Sequence, residues 1–102
     1  KIKNQKKIIE FDNIKINLSK SLIIQNKKEF KINNTEKIIL DKMINAPGQT
    51  FSRESIGKLI DLDKERSIDV IITRLRKKIE IDPKNPKYLQ TIRGTGYVLW
   101  IE

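Results

Sequence analysis

The sequence predicts an α+β domain in which short strands come first, three helices follow and a β-hairpin closes the chain. Three observations carry this reading. Apolar residues alternate with polar ones near the start, recur at helical spacing in the middle, and form strand-like runs around a Gly-Thr-Gly turn at the end. At 102 residues the chain has the length of one domain, taken as 1–102, and 37% apolar residues supply a modest core.

The strands fall in residues 7–32. Ile8, Ile9 and Phe11 form a first apolar run, and Ile14, Ile16 and Leu18 alternate with Lys15 and Asn17. Residues 22–24 are a third run, and Phe30 and Ile32 flank Lys31. Asp12-Asn13 and Asn26-Lys27 are turn pairs. The expectation is a four-stranded antiparallel sheet with one face buried and the other rich in lysine.

The three-helix region covers about 33–80. Asn33 and Glu36 have capping-box spacing, Ile39, Leu40, Met43 and Ile44 form an apolar stripe, and Ala46-Pro47-Gly48 ends the helix. Ser52 is the next N-cap, with Glu54 in the first turn and Ile56, Leu59 and Ile60 as the buried side. Gly57 costs this second helix roughly 1 kcal/mol against Ala, so it is expected to be the weakest. In the third helix, 65–81, spacing of 100° per residue puts Ile68, Ile72, Leu75 and Ile79 on one narrow stripe. The opposite face collects Arg66, Ser67, Val70, Thr73, Arg74 and Lys77, with Ile71 and Lys78 at its edge. After Asp82-Pro83-Lys84-Asn85-Pro86, strands at 88–92 and 97–101 flank Gly94-Thr95-Gly96, giving a hairpin over about 88–101 with Arg93 at its base. Strands, three helices and a hairpin in this order make a winged helix-turn-helix with an N-terminal sheet.

The chain has no cysteine and no histidine, which excludes disulfides, thiolate metal sites and the usual general base. Its carboxylates are scattered, so no enzyme, cofactor or metal is expected. Asp61, Asp63 and Glu65 alternate, but they lack the 12-residue loop with central Gly and terminal Glu of a calcium site. With 22 Lys and Arg against 13 Asp and Glu, the net charge of +9 favours a polyanionic partner. Both halves are basic, 11 against 5 in residues 1–51 and 11 against 8 in the rest, so total charge does not locate the contact. No run approaches the ~20 apolar residues of a membrane span, and no signal-peptide pattern is present. The expectation is a soluble, intracellular binding module with no membrane partner, beginning at Lys1 as a piece of something longer.

A helix that reads the major groove needs short polar groups, guanidinium forks and small apolar groups to meet thymine methyls. The face with Ser67, Val70, Thr73 and Arg74 has that make-up. A glycine-flanked hairpin tip lets backbone approach a partner, and Arg93 suits a narrow minor groove. Each feature alone reads equally as solvated surface; in this order the two reach adjacent grooves together. The alternative on composition is a basic RNA-binding or non-specific nucleic-acid-binding module, against which the dispersal of only six aromatic residues counts.

Residues 33–98 resemble the OmpR/PhoB family of response-regulator DNA-binding domains, particularly its OmpR branch. The likeness is carried by Asn33-Asn34-Thr35-Glu36, Pro47-Gly48, Phe51-Ser52-Arg53-Glu54, Arg66-Ser67-Ile68-Asp69-Val70, Arg74-Leu75-Arg76-Lys77-Lys78-Ile79, and Gln90-Thr91-Ile92-Arg93-Gly94-Thr95-Gly96-Tyr97-Val98. The resemblance implies the effector domain of a bacterial two-component transcription factor, located in the cytoplasm and bound to double-stranded DNA. It implies tandem half-sites bound head to tail by a dimer, a monomer when the domain is isolated, a receiver domain outside this chain, and RNA polymerase as a further partner. Val70 and Arg74 would read bases, Ser67 and Ile71 would lie close to the groove, and Arg76 and Lys77 would lie near phosphates. Thr91 and Tyr97 match wing positions that touch the backbone, and Arg93 matches the minor-groove arginine. Arg66 and Thr95 complete the set, and Arg53 at the start of the second helix is a further phosphate contact. Asp69 faces sideways and is expected to pair with a neighbouring basic group. Two departures stand out: Lys37 occupies a position that is usually apolar, and the loop 61–65, where family members engage polymerase, is short and lacks the common Trp.

Overall fold

A computed structural model describes residues 7–60 and 65–101, with side chains for 7–60 and 68–101. Strands β1 (Ile8–Phe11), β2 (Ile14–Asn17), β3 (Leu22–Gln25) and β4 (Lys28–Lys31) form an antiparallel meander in that order. Asn26 and Lys27 both take positive φ, 48° and 72°, which lets a two-residue turn follow the twist of the strands it joins. The register aligns Ile9, Ile16, Ile23 and Phe30 across the sheet, giving the inner face. The outer face is mixed rather than lysine-rich, because the same register aligns Glu10, Lys15, Ile24 and Glu29 there.

Helix α1 (Asn34–Ile44) begins with the expected capping box: Asn33 Oδ1 accepts from the Glu36 amide at 2.8 Å and Glu36 Oε1 from the Asn33 amide at 3.0 Å. Ile39, Leu40, Met43 and Ile44 are buried, while Lys37 is half-buried at the margin of that stripe. A two-residue strand, β5 (Thr50–Phe51), follows; it is too short for any alternation to reveal it. In α2 (Arg53–Leu59), Ser52 Oγ accepts from the Ser55 amide at 3.0 Å. Its buried side is Ile56 and Gly57 with Ile60 beyond the end, whereas Leu59 is exposed. Residues 56, 57 and 60 centre on one direction of the helix, and Leu59 points more than a quarter-turn away from it.

Helix α3 (Glu65–Ile79) buries Ile68, Ile72, Leu75 and Ile79 completely, against α2 and β3. Its C-terminal carbonyls are satisfied from β3, where Gln25 Nε2 donates to the carbonyls of Lys78 and Glu80 at 3.1 and 3.0 Å. The chain closes with β6 (Leu89–Ile92) and β7 (Gly96–Leu99), and β5 joins them in a sheet of order β5-β7-β6. Glu80, just past α3 and buried, anchors this sheet. Its carboxylate accepts from the amides of Lys87 at 2.7 Å, Tyr88 at 3.0 Å and Leu89 at 2.8 Å, so the end of α3 fixes where β6 begins.

Two substitutions test this packing by chemical denaturation. Ile72→Ala is expected to cost about 2–5 kcal/mol through the cavity it leaves. Glu80→Ala, which strands three backbone donors, should cost roughly 3 kcal/mol or more.

Candidate nucleic-acid interface

The outward face of α3 follows from its inward one: once the stripe at 68, 72, 75 and 79 is committed to the core, residues 70, 73, 74 and 77 must face away. Val70, Thr73, Arg74 and Lys77 are exposed and line one continuous hollow, with Asp69 at its wall. Val70 keeps 48% of its surface in solvent, and Thr73 Oγ1 turns back to donate to the Asp69 carbonyl at 2.8 Å. Thr73 and Lys77 also line the adjoining hollow that reaches Pro83 and Lys84, so the basic face continues into the loop after the helix. Lys84 was not among the residues singled out from sequence, because a lone lysine in a Pro-rich loop carries no pattern.

The wing lies beside this helix. Its tip, Arg93-Gly94-Thr95, is exposed and closed by the Thr95 amide donating to the Ile92 carbonyl at 2.9 Å. Gly96 is required: at φ 154° a Cβ would fall 2.1 Å from the Phe51 carbonyl oxygen, so only glycine lets β5 and β7 pair here. Arg76 crosses from α3 to β6, where Nε donates to the Leu89 carbonyl at 2.8 Å and Nη2 to Thr91 Oγ1 at 2.7 Å.

A second bridge starts from Asp69. Its Oδ1 accepts from Arg53 Nε at 2.8 Å and from the Tyr97 hydroxyl, as the sideways position of Asp69 led us to expect of a basic partner. The Tyr97 hydroxyl, and next Arg53, hold the Asp69 carboxyl below the usual carboxylate range. Burial, and next Asp69, push the Tyr97 hydroxyl up.

The expected site residues therefore divide. Val70, Arg74 and Lys77 on α3, Thr91, Arg93 and Thr95 on the wing, and Arg53 at the start of α2 are exposed. Ile71 instead packs partly against the core, Arg76 is spent on the wing strand, and the Tyr97 ring is buried with its hydroxyl on Asp69. Arg66 and Ser67 lie in the first turn of α3, with side chains outside those described, and residues 61–64 of the shortened loop lie outside the described residues. Among the described residues no three carboxylates gather as a metal site needs. Arg74, Lys77 and Arg93 form no ion pair with any described residue, which leaves their charge available to an outside anion.

A helix with an uncompensated basic face, held beside a wing with an arginine at its tip, defines a winged-helix nucleic-acid-binding domain. Residues 27–99 match the profile of the family described as transcriptional regulatory protein, C terminal. A protein named as probable transcriptional regulator ycf27, from Guillardia theta, is 37% identical over 98 residues, covering 89% of this chain and 38% of that protein. DrrB of Thermotoga maritima, an OmpR/PhoB-homologous response regulator, matches with a TM-score of 0.82 at 30% identity, over 93% of this chain and 45% of its own. The DNA binding domain of the response regulator AdeR, solved in complex with an intercistronic region, matches with a TM-score of 0.69 at 27% identity, over 92% of this chain and 100% of its own. The chain belongs to the family of transcriptional-regulator C-terminal domains, of the OmpR/PhoB response-regulator type; it is a DNA-binding domain and not an enzyme. It spans 38% to 43% of the length of the curated relatives it matches.

The Asp69 bridge has a pH signature. Because its folded pKa is depressed, the carboxylate stabilises the native state fully above about pH 4, near its unfolded value, and loses that contribution as pH falls through the lower folded value. Thermal midpoints measured from pH 5 downward should fall less steeply in Asp69→Asn than in the wild type. The fall is flattened rather than abolished, since Asp12, held low by the Tyr88 hydroxyl and next by Lys87, titrates in the same window.

Proposed function

We propose that the chain binds double-stranded DNA sequence-specifically as the effector domain of a bacterial two-component response regulator acting in the cytoplasm. The carrying observation is that Arg74 and Lys77, unpaired among the described residues, stand beside exposed Val70 on α3. In this reading α3 enters the major groove, Val70 meets a thymine methyl and Arg74 takes a guanine edge. Lys77 and Arg53 contact phosphates, Ser67 lies close to the groove, Arg66 belongs to the same interface, and Arg93 enters the neighbouring minor groove with Thr91 and Thr95 against the backbone. The AdeR domain, which shares this fold at 27% identity and was solved on DNA, supports duplex DNA as the partner. No helix among the described residues is long and apolar enough to cross a membrane. Tandem half-sites would be bound head to tail by two copies that are monomeric off DNA. A receiver domain and RNA polymerase are the protein partners.

Selection of duplexes from a random pool tests the reading. A repeated half-site should emerge, whereas salt-sensitive binding without any enriched sequence would favour a non-specific or RNA-binding module. Arg74→Ala should then lose roughly 1–3 kcal/mol of discrimination at one base position, read as affinity on matched and mismatched duplexes. Lys77→Ala should weaken all duplexes alike and flatten the salt dependence by about one unit of slope; an unchanged slope would remove it from the interface.

A further inference from the structure

The remaining feature of this face is a carboxylate with the wrong charge for it. Asp69 lies on α3 one residue before Val70, at the wall of the hollow that Arg74 and Lys77 line, where a negative group repels phosphate. Yet it is the point at which three elements meet. Its Oδ1 takes hydrogen bonds from Arg53 at the first position of α2 and from Tyr97 on β7. The guanidinium carbons of Arg53 and Arg76 lie 5.6 and 5.7 Å from the Tyr97 ring centroid, and Arg76 carries the connection on to β6. Arg53 is held by Asp69 through Nε and also engages the Tyr97 hydroxyl, while its side chain stays 44% exposed, so the rest of its fork can still meet an outside acceptor.

We propose that Asp69 is a positioning residue of the DNA interface: its carboxylate locks the wing to the recognition helix and aims Arg53 at a backbone phosphate. This rests on the reading of α3 and the wing as the DNA-binding face. It makes a prediction of unusual sign. If charge alone governed binding, removing a carboxylate from this face would tighten it. If Asp69 positions, its removal weakens binding even though the protein becomes more positive. Tyr97→Phe, which removes one hydroxyl and changes no charge, should act in the same direction.

The experiment titrates wild type, Asp69→Asn, Tyr97→Phe, Arg53→Ala and the Asp69→Asn/Arg53→Ala pair against the duplex that the wild type selects. Each is measured at several salt concentrations, below its own melting temperature. Asp69→Asn and Tyr97→Phe should each bind roughly five- to tenfold more weakly, and the double variant no more weakly than the worse single one, because both singles break one bridge. The salt slope of Asp69→Asn should fall by about one unit, as in Arg53→Ala, since one phosphate contact is lost. Ile72→Val, destabilised through the core alone, should keep the wild-type slope. Tighter or unchanged binding by Asp69→Asn, or additive losses in the double variant, would overturn the proposal. Should Asp69→Asn fail to fold, Tyr97→Phe decides by the same sign. Failure of the wild type itself to select any duplex would overturn the underlying reading of the face, which is a distinct result.

Discussion

Burial of four aliphatic side chains on α3 is the constraint from which the rest of this molecule follows. Ile68, Ile72, Leu75 and Ile79 all lose their contact with water, which contributes roughly 1.5–3 kcal/mol each and leaves the helix a single way to sit on α2 and β3. That choice fixes the opposite face by geometry alone. Val70, Arg74 and Lys77 are presented to solvent because 68, 72, 75 and 79 are not. The N-terminal sheet serves the same helix, since its inner row of Ile16 and Ile23 closes the core and Gln25 satisfies carbonyls at the end of α3.

A chain with a net charge of +9 must also decide which cations to neutralise. Here the division is spatial. Lys78, at the inner edge of α3, donates to Glu36 Oε1 at 2.7 Å and to the Lys31 carbonyl at 2.8 Å, tying α3 to α1 and the first sheet. Such a pair contributes little net stability after desolvation, the more so because Glu36 Oε2 is buried without a partner among the described residues. Its effect is to hold elements in register. Arg76 is spent in the same way on β6. The cations of the recognition face and wing tip, by contrast, keep their charge for a partner, and the carboxylate among them is itself consumed by Arg53 and Tyr97.

This division explains what could be read from the sequence. The helices, their caps at Asn33 and Ser52 and the buried stripe of α3 were legible because each depends on residues within a few positions of one another. The four strands and two turn pairs were legible for the same reason. Strand β5 was not, since two residues define no period and it exists only by pairing with β7, nearly fifty positions later. Leu59 was misassigned because a seven-residue helix is too short for its apolar side to be fixed by spacing. The roles of Arg76, Tyr97 and Glu80 were hidden likewise: each is decided by an acceptor or donor on another element. The resemblance implies that Arg76 and Tyr97 contact the DNA backbone; packing adds that each also joins elements of this surface.

Two small elements proposed to contact adjacent grooves gain from being rigidly joined before binding. A wing free to swing against α3 would have to be ordered at the moment of association, and that entropy would be subtracted from every contact it made. Arg76 against the Tyr97 ring and on Thr91, together with the Asp69 bridge to the Tyr97 hydroxyl, remove this freedom in the unbound protein. Glu80 sets the level at which β6 leaves the helix, and Gly96 permits the close pairing that brings β5, and with it the start of α2, against β7. Recognition helix, wing and the α2 N-terminus thus form one preorganised surface. On the proposed reading, the internal contacts of Asp69, Glu80 and Gly96 matter to that surface as much as the side chains it presents to DNA.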